Sequence, residues 1–381
     1  MKRVSIINKY GPSSKAITGR NAKEIADYLY LNNFEVTYIC LRSQYKSEAA
    51  EANNYEEQFK VKELWDYYKG STSLWRFFWG FIDGFRLWLA SLKQQADIVI
   101  VLTDPPLLIF WFQLLRIFSN RKLFYWAMDI YPDAFAAGKY VKPANFFYRF
   151  FSSIIYGRLP DLIIALGDKQ LEFLEKKFRH HVAHVILPCG IIETNANNGS
   201  SSNCNGKITF GYGGNIGEAH DANFLISLIK QLDPEKHEII LSLYGSKAAY
   251  VKQQIQNTEV VQYRDFLNFK DIASIDVNIA TILPEWNHIC VPSKAVTAIC
   301  CGSSLLLNGT KETDAWNMFK NASWLIEADK NYESEIKTTI DVITIEEIFT
   351  KRVIAKELSK NLVKEKVKAL QSIVHAIQNN N

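Results

Sequence analysis

The chain lacks an apolar run that could cross a bilayer. The longest uncharged run near the middle of its first half, Pro105 to Leu115, falls well short of the roughly 20 residues a spanning helix needs. Met1-Lys2-Arg3 is followed only by Val4-Ser5-Ile6-Ile7, too short for the apolar core of a signal peptide, so no export is expected. The six cysteines contain no C-x-x-C pair, which argues against a zinc ribbon or dithiol centre and fits a reducing, cytoplasmic compartment. Charge of one sign is also scarce: a net +4 over 381 residues does not mark a nucleic-acid binder, and no nucleic-acid partner is expected. No short repeat is visible. With 48% hydrophobic and 22% charged residues, the chain reads as a folded protein long enough for two domains.

What is present is alternation. Val4 to Ile7 reads as a strand, followed by a loop with Gly11, Pro12 and Gly19 and a helix from about Asn21 to Leu31. Further strands are predicted at Val36 to Leu41, Ile98 to Leu102, Lys122 to Ala127 and Leu162 to Ala165, with helices between them. After Pro188 and an Asn/Ser-rich segment, Thr194 to Gly206, which reads as a loop, the pattern restarts. Strands are predicted at Ile208 to Tyr212, Glu238 to Tyr244, Val260 to Tyr263, Val277 to Ala280 and Ser304 to Leu307, and helices from Asp221, Ala248, Ser293 and Glu312. This is an α/β chain with two doubly wound, Rossmann-like domains, 1–188 and 189–345. Residues 346–381 form a helical tail, expected to break near its middle and to return to the first domain.

Such sheets bind ligands at the carboxyl ends of their strands, so two of them facing one another would enclose a cleft. The loops that would line it are Tyr10 to Gly19, Thr103 to Pro106 and Asp129 to Asp133, with Gly213 to His220, Gly245 to Lys247 and Leu283 to Lys294 from the second half. The clearest signal is Ile208 to Asp221, where an apolar strand runs into glycines and then a helix. Glycines let main-chain N–H groups approach an anion, and the positive helix end would point into the same space. A phosphate cradle at the start of the second domain suggests an enzyme that handles a nucleotide-linked substrate.

The phrase GYGGNIGEAHD, followed some seventy residues later by VPSKAVTAICCG, resembles the C-terminal domain of glycosyltransferase family 4, which has the GT-B fold. DIYPDAFAAG in the first half resembles a segment of its bacterial surface-polysaccharide (O-antigen and capsule) members. The resemblance runs over nearly the whole chain. It implies a transferase that moves a hexosyl or N-acetylhexosaminyl group from a nucleotide-diphosphate sugar to a lipid-linked saccharide, with retention of configuration and with no further cofactor or metal required.

By the same resemblance Gly213, Gly214 and Asn215 would present N–H groups to the donor diphosphate. Pro292, Ser293 and Lys294 would open the helix lying against it, with Lys294 neutralising the leaving group and Lys247 a second cation. Gly19 would let backbone approach the sugar. Asp129 would orient or deprotonate the acceptor hydroxyl, although in the retaining mechanism a donor phosphate oxygen can take that proton. Many members carry two glutamates eight positions apart around the donor; here Ile289 and Thr297 stand in those places, with Glu285 nearby. Glu218 falls where a basic residue often follows the glycines, and beside a diphosphate it would repel unless turned away or paired. Two alternatives use the same fold: a catalytically impaired subunit serving a partner transferase, and a nucleotide-sugar epimerase, which would need an acid and a base close together.

His180, His181 and His184 follow Lys176, Lys177 and Arg179 and read as a basic helix end rather than a metal site. Cys300 and Cys301 read as core residues. Segments 74–89 and 139–158 are rich in aromatic and basic residues. In 74–89, Trp75, Phe78, Trp79, Ile82 and Phe85 form one helical stripe, with Phe77, Phe81 and Trp88 on other faces. Both segments could lie in the inner face of a membrane, as a peripheral contact giving access to a lipid-carried acceptor, or pack within the first domain.

Overall fold

The computed structural model describes residues 1–14, 16–42, 57–67, 73–193, 206–328 and 332–379. Most of the Asn/Ser-rich segment, positions 194–205 including Cys204, lies outside them. The chain divides into two units, Met1–Cys189 with Val367–Asn381, and Gly190–Lys366.

The first unit is built on β1 (Arg3–Ile7), α1 (Ile17–Leu31), β2 (Glu35–Leu41), β3 (Lys60–Leu64), α2 (Ser73–Leu92), β4 (Ile98–Val101), α3 (Leu108–Leu114), β5 (Lys122–Trp126), α4 (Asp133–Ala137), α5 (Phe146–Ile155), β6 (Leu162–Ala165), α6 (Asp168–Phe178) and β7 (His184–Ile186). The seven strands are parallel in the order β3-β2-β1-β4-β5-β6-β7. Because helices cover both faces, central strands such as Ile98-Val99-Ile100-Val101 are apolar without alternation. α1 buries Ala22, Ile25, Ala26 and Leu29, the spacing of one helix face.

Two strands of this sheet were not foreseen, and both are edges. β3 reads Lys-Val-Lys-Glu-Leu because an outer strand needs no continuous apolar run and is protected by charge. At the other edge, α6 stops at Phe178, with Arg179 in the left-handed conformation (φ 60°). His184 then opens β7, so the three histidines follow the helix rather than finish it.

The second unit contains β8 (Ile208–Asn215), α7 (Ala222–Gln231), β9 (His237–Tyr244), α8 (Ala248–Gln254), β10 (Val261–Tyr263), α9 (Phe269–Ser274), β11 (Val277–Thr281), α10 (Ser293–Cys300), β12 (Ser304–Gly309), α11 (Asp314–Phe319), β13 (Ser323–Glu327) and α12 (Tyr332–Val342). Its parallel order is β10-β9-β8-β11-β12-β13, the same winding as the first six strands of the other sheet. The glycines expected in a turn belong to the strand: β8 pairs with β9 through Gly213, Gly214 and Asn215. The predicted helix at Glu312 starts two residues later, where the Thr313 hydroxyl accepts from the Trp316 N–H.

The last helix, α13 (Ile345–Asn379), runs for 35 residues without the expected break. It has no proline or glycine to interrupt it, and the ends of one helix serve both units. In the second unit Arg352 is buried and donates to the carbonyls of Ala273 (2.6 Å) and Ile275 (3.0 Å), with Asp276 4.0 Å away. In the first unit Ile373 and Ile377 are fully buried, and Lys2 Nζ donates to the Ile377 carbonyl at 2.9 Å.

Candidate functional site

In both sheets the winding reverses beside the first strand of the unit, at β1/β4 and at β8/β11, and such switch points open a crevice at the strands' carboxyl ends. The loops predicted to carry chemistry all leave those ends.

In the second unit β8 and β11 pair only at Phe210 and Gly211, so from Tyr212 onward the β11 side of β8 carries no ladder. Residues 216–221 fill part of that gap and are tied to β11. The Asp221 N–H donates to Thr281 Oγ1 (3.1 Å), and the Leu283 N–H to the Ala219 carbonyl (2.9 Å). His220 Nδ1 lies 2.7 Å from the Thr281 carbonyl. A carbonyl only accepts, so Nδ1 carries the hydrogen and Nε2 is left as an acceptor. Burial, then the nearby Lys294, pushes the His220 pKa down to about 3, which keeps the ring neutral.

The backbone here demands glycine at two places. Gly214 has φ +110° and Gly245 φ +106°, both in the left-handed range. A side chain at Gly245 would also stand 2.0 Å from Asn215 Oδ1. That close approach carries the chain from β9 into Lys247, whose ammonium donates to the carbonyls of Glu218 (3.1 Å) and His220 (2.8 Å).

Lys294, in the first turn of α10 behind Pro292 and Ser293, reaches back to β8. Its ammonium donates to Tyr212 Oη (2.6 Å) and the Asn215 carbonyl (2.9 Å) and stands 4.0 Å from the centre of the Tyr212 ring. Both acceptors are uncharged, and among the described residues no carboxylate lies within ion-pair distance of this ammonium. Desolvation pulls its pKa down to about 7, although the residue as a whole is only half-buried. Lys247 is lowered as well by burial, against the pull of Glu218, Asp221 and Glu285.

The structure therefore brings together Gly213, Gly214, Asn215, Lys247 and Lys294, with Glu285 in the short helix Pro284–Trp286 acting on Lys247. Glu218 is turned to Ser246, whose hydroxyl donates to its carboxylate at 2.9 Å. The expected helix-end contribution is taken up internally, because the Asp221 carboxylate caps α7 by accepting from the Phe224 N–H. Of the two positions where the resemblance led to an expectation of glutamates, Ile289 is buried and Thr297 donates to the Gly190 carbonyl at 3.1 Å. Those side chains serve packing. His220, Tyr212 and Thr281 were not singled out from the sequence; the signal available was the AHD tripeptide after the glycines.

In the first unit the switch point is zipped further. The Leu102 N–H donates to Ile7 and the Lys9 N–H to Asp104, at 3.1 and 2.8 Å. Beyond that closure stand Asp104, after β4, and Asp129, after β5. The Asp129 N–H donates to Thr103 Oγ1 at 3.2 Å. Burial, then the Asp104 charge, pushes the Asp129 carboxyl up to about 7, poised between acid and base at neutral pH. Burial raises Asp104 too, opposed by Lys9. Gly19 is buried, and a Cβ there would stand 2.6 Å from the Gly11 carbonyl, so packing of the chain on itself accounts for this glycine.

Asp133, the second aspartate of DIYPDAFAAG, has a different task. Its buried carboxylate accepts from Tyr148 Oη (2.7 Å) and from Tyr156 Oη, and pairs with Lys177 at 2.5 Å. It ties α4 to α5 and α6, and thereby steadies the loop that carries Asp129.

The aromatic segments are divided. On α2 the face toward the unit holds Asp83, Leu87, Trp88, Ala90 and Ser91, while Trp75, Phe77, Phe78, Phe85 and Leu89 are exposed. On α5, Tyr148 and Ile155 are buried, whereas Phe146 and Phe147 are 73% and 65% exposed, with Phe150 beside them. The side chains of Leu74 and Arg76 lie outside the described residues. Among the described residues no helix is long and apolar enough to cross a membrane.

No protein-family model and no curated sequence matches this chain. Solved structures do. Sucrose-phosphate synthase from Thermosynechococcus elongatus superposes with a TM-score of 0.70 at 12% identity, covering 99% of this chain and 97% of that one. HepE from Anabaena, solved in complex with UDP and glucose, gives 0.69 at 14% identity, with 98% and 100% covered. WaaG, a glycosyltransferase involved in lipopolysaccharide biosynthesis, gives 0.66 at 12% identity over the full length of both chains. These structural neighbours are GT-B glycosyltransferases, and the chain has their fold: two parallel-sheet α/β units.

Proposed function

We propose that this chain is a glycosyltransferase that takes a sugar from a nucleotide-diphosphate donor bound by the second unit and transfers it to a lipid-linked saccharide, in the synthesis of a surface polysaccharide. The observation that carries the reading is Lys294. A cation held against uncharged oxygens at a switch-point crevice, with a second lysine nearby, is stabilised by an anion supplied from outside. A diphosphate fits, since charge builds on it as the glycosidic bond to phosphate breaks. HepE, of like fold, is known with UDP-glucose bound.

The new bond forms between the anomeric carbon and an acceptor oxygen, whose proton passes to the departing phosphate or to Asp129. Asp129, with its pKa near neutrality, can accept it. Retention of configuration is part of this proposal. So is a peripheral contact of the first unit with an anionic bilayer, through the exposed Phe146, Phe147 and Phe150 beside exposed Lys142 and Arg149.

A thermal-shift screen of the intact chain against nucleoside diphosphates and nucleotide sugars tests the donor site. A ligand of the native state raises the melting temperature, and the rise should vanish in Lys294→Ala. A rise unchanged in that variant would reject the assignment. Failure to float with anionic liposomes at low salt would reject the membrane contact. Ile289 and Thr297, given over to packing, favour a second reading in which the chain binds the donor for a partner transferase; donor binding without transfer to any acceptor, even with a partner added, would establish it.

A further inference from the structure

On the rim of the first unit's sheet stands a group of exposed rings apart from the aromatic residues of α5. Trp65 and Tyr67 follow β3 and are 65% and 64% exposed, alternating with half-buried Leu64 and Asp66 as an extended segment does. Each ring is backed by a guanidinium. Arg42 stands 4.8 Å from the centre of the Trp65 ring and pairs with Glu63 at 3.2 Å; Arg86 stands 4.4 Å from the centre of the Tyr67 ring and pairs with the buried Asp83. Half-buried Trp79 adds a third ring, 6.2 Å from Tyr67. A stacked guanidinium covers one face of a ring and holds its plane, leaving the other face to a ligand.

Main-chain bonds tie this platform to the acidic crevice. The Arg42 N–H donates to the Leu64 carbonyl (2.7 Å), the Leu41 N–H to Lys9 (3.0 Å) and the Lys9 N–H to Asp104 (2.8 Å), so the strand ends form one rim from Trp65 to Asp104, with Asp129 next along it. Four strand spacings, roughly 19 Å, separate β3 from β5, a span longer than a disaccharide. The groups beside the rings select their occupant. Glu63 is exposed and Asp66 lies between Trp65 and Tyr67 in the chain, so an anionic bilayer meets repulsion here, whereas segment 139–158 has four basic residues and no acidic one. A sugar ring lays its apolar C–H face on an aromatic plane and turns its hydroxyls to the carboxylate and guanidinium groups around it.

Resting on the acceptor reading, we propose that the acceptor is an oligosaccharide of more than two sugars, with its accepting hydroxyl at Asp129 and its preceding sugars stacked on Tyr67 and Trp65. The protein then lengthens a saccharide already several sugars long, and a different transferase must place the first sugars on the lipid.

The test is calorimetric binding to the intact chain of di- to hexasaccharide fragments cut from the surface polysaccharide of the cell that makes it. The hexasaccharide should bind about tenfold more tightly than the disaccharide. In the double variant Trp65→Ala, Tyr67→Ala that preference should disappear, while disaccharide binding, UDP binding and flotation with anionic liposomes stay unchanged. Trp65→Phe with Tyr67→Phe, which keeps both rings, should retain it. Equal binding of the two lengths by the parent, or a length preference that survives the alanine variant, overturns the platform alone. Loss of flotation in the alanine variant also overturns it and gives the rings to the bilayer. Absence of binding to any fragment, with UDP still bound, overturns the acceptor reading together with the platform.

Discussion

The two units wind their sheets alike and set opposite charges at the same place. Beyond the β1/β4 switch point stand two carboxyls, Asp104 and Asp129; beyond β8/β11 stand two ammonium groups, Lys247 and Lys294. Burial drives both sites toward neutrality, raising the Asp129 carboxyl to about 7 and lowering the Lys294 ammonium to about 7. A common winding thus provides a sheltered strand end, and the loops decide which sign of charge is sheltered there. The backbones differ as well: bonding between the β1 and β4 segments continues past the strands, whereas beyond Gly211 the β11 side of β8 is partly filled by residues 216–221. In the proposed reaction the first handles the proton of a hydroxyl and the second binds an anion.

The comparison breaks most sharply at Asp129. If it handles the acceptor proton, Asp129→Asn should lower the transfer rate by about 10²–10⁴-fold while UDP affinity stays unchanged. Rate in the parent should decline as pH drops below about 7; steady-state rates across pH 5–9 check both. The reciprocal change, Lys294→Met, removes one charge from a charge-assisted contact. It should weaken UDP binding by ~2–3 kcal/mol, about 30- to 150-fold, by calorimetry at pH 6.5, where the parent lysine is mostly protonated.

A smaller effect separates the glycines. Gly245→Ala places a side chain at φ +106° and should cost roughly 1–3 kcal/mol of stability and also weaken UDP binding. Gly19→Ala, which crowds only the Gly11 carbonyl, should lower the urea midpoint without changing UDP affinity.

The pH dependence of stability should run in opposite directions at the two sites. The native Asp129 carboxyl holds its proton above the unfolded value of 3.8, so its contribution to stability is full below that pH and is lost as pH rises to about 7. Lys294 binds its proton less tightly folded than unfolded, so its penalty is full below about 7 and is relieved as pH rises toward 10.5. Melting temperatures of Asp129→Asn relative to the parent should therefore improve from pH 4 to 7. Those of Lys294→Met should lose their advantage from pH 7 upward.

Much of the scaffold was legible because buried parallel strands write themselves as apolar runs, as at Ile98 and Leu162. The edges β3 and β7 were not, since an edge strand has no such requirement. Lys294 and Asp129 could be named from their motifs, but Asp133, three residues past Ile130 in DIYPDAFAAG with Tyr131 and Pro132 between, could not be told apart from Asp129 in role. Its partners Tyr148 and Lys177 lie on two later helices, and Tyr156 just follows the first of them. His220 escaped notice because its neutrality depends on Thr281, sixty-one positions onward.

By itself the amino-acid sequence determined the alternation of strands and helices, the two-unit division of the chain into like halves, and which loops hold ionisable groups, because these follow from local periodicity and composition. Only the tertiary structure decided that the glycines lie in a strand, that the last helix is unbroken, and that Lys294 donates to two uncharged oxygens. Those are properties of neighbours distant in the chain, and burial among such neighbours sets whether a charge is stable, paired or waiting for a ligand.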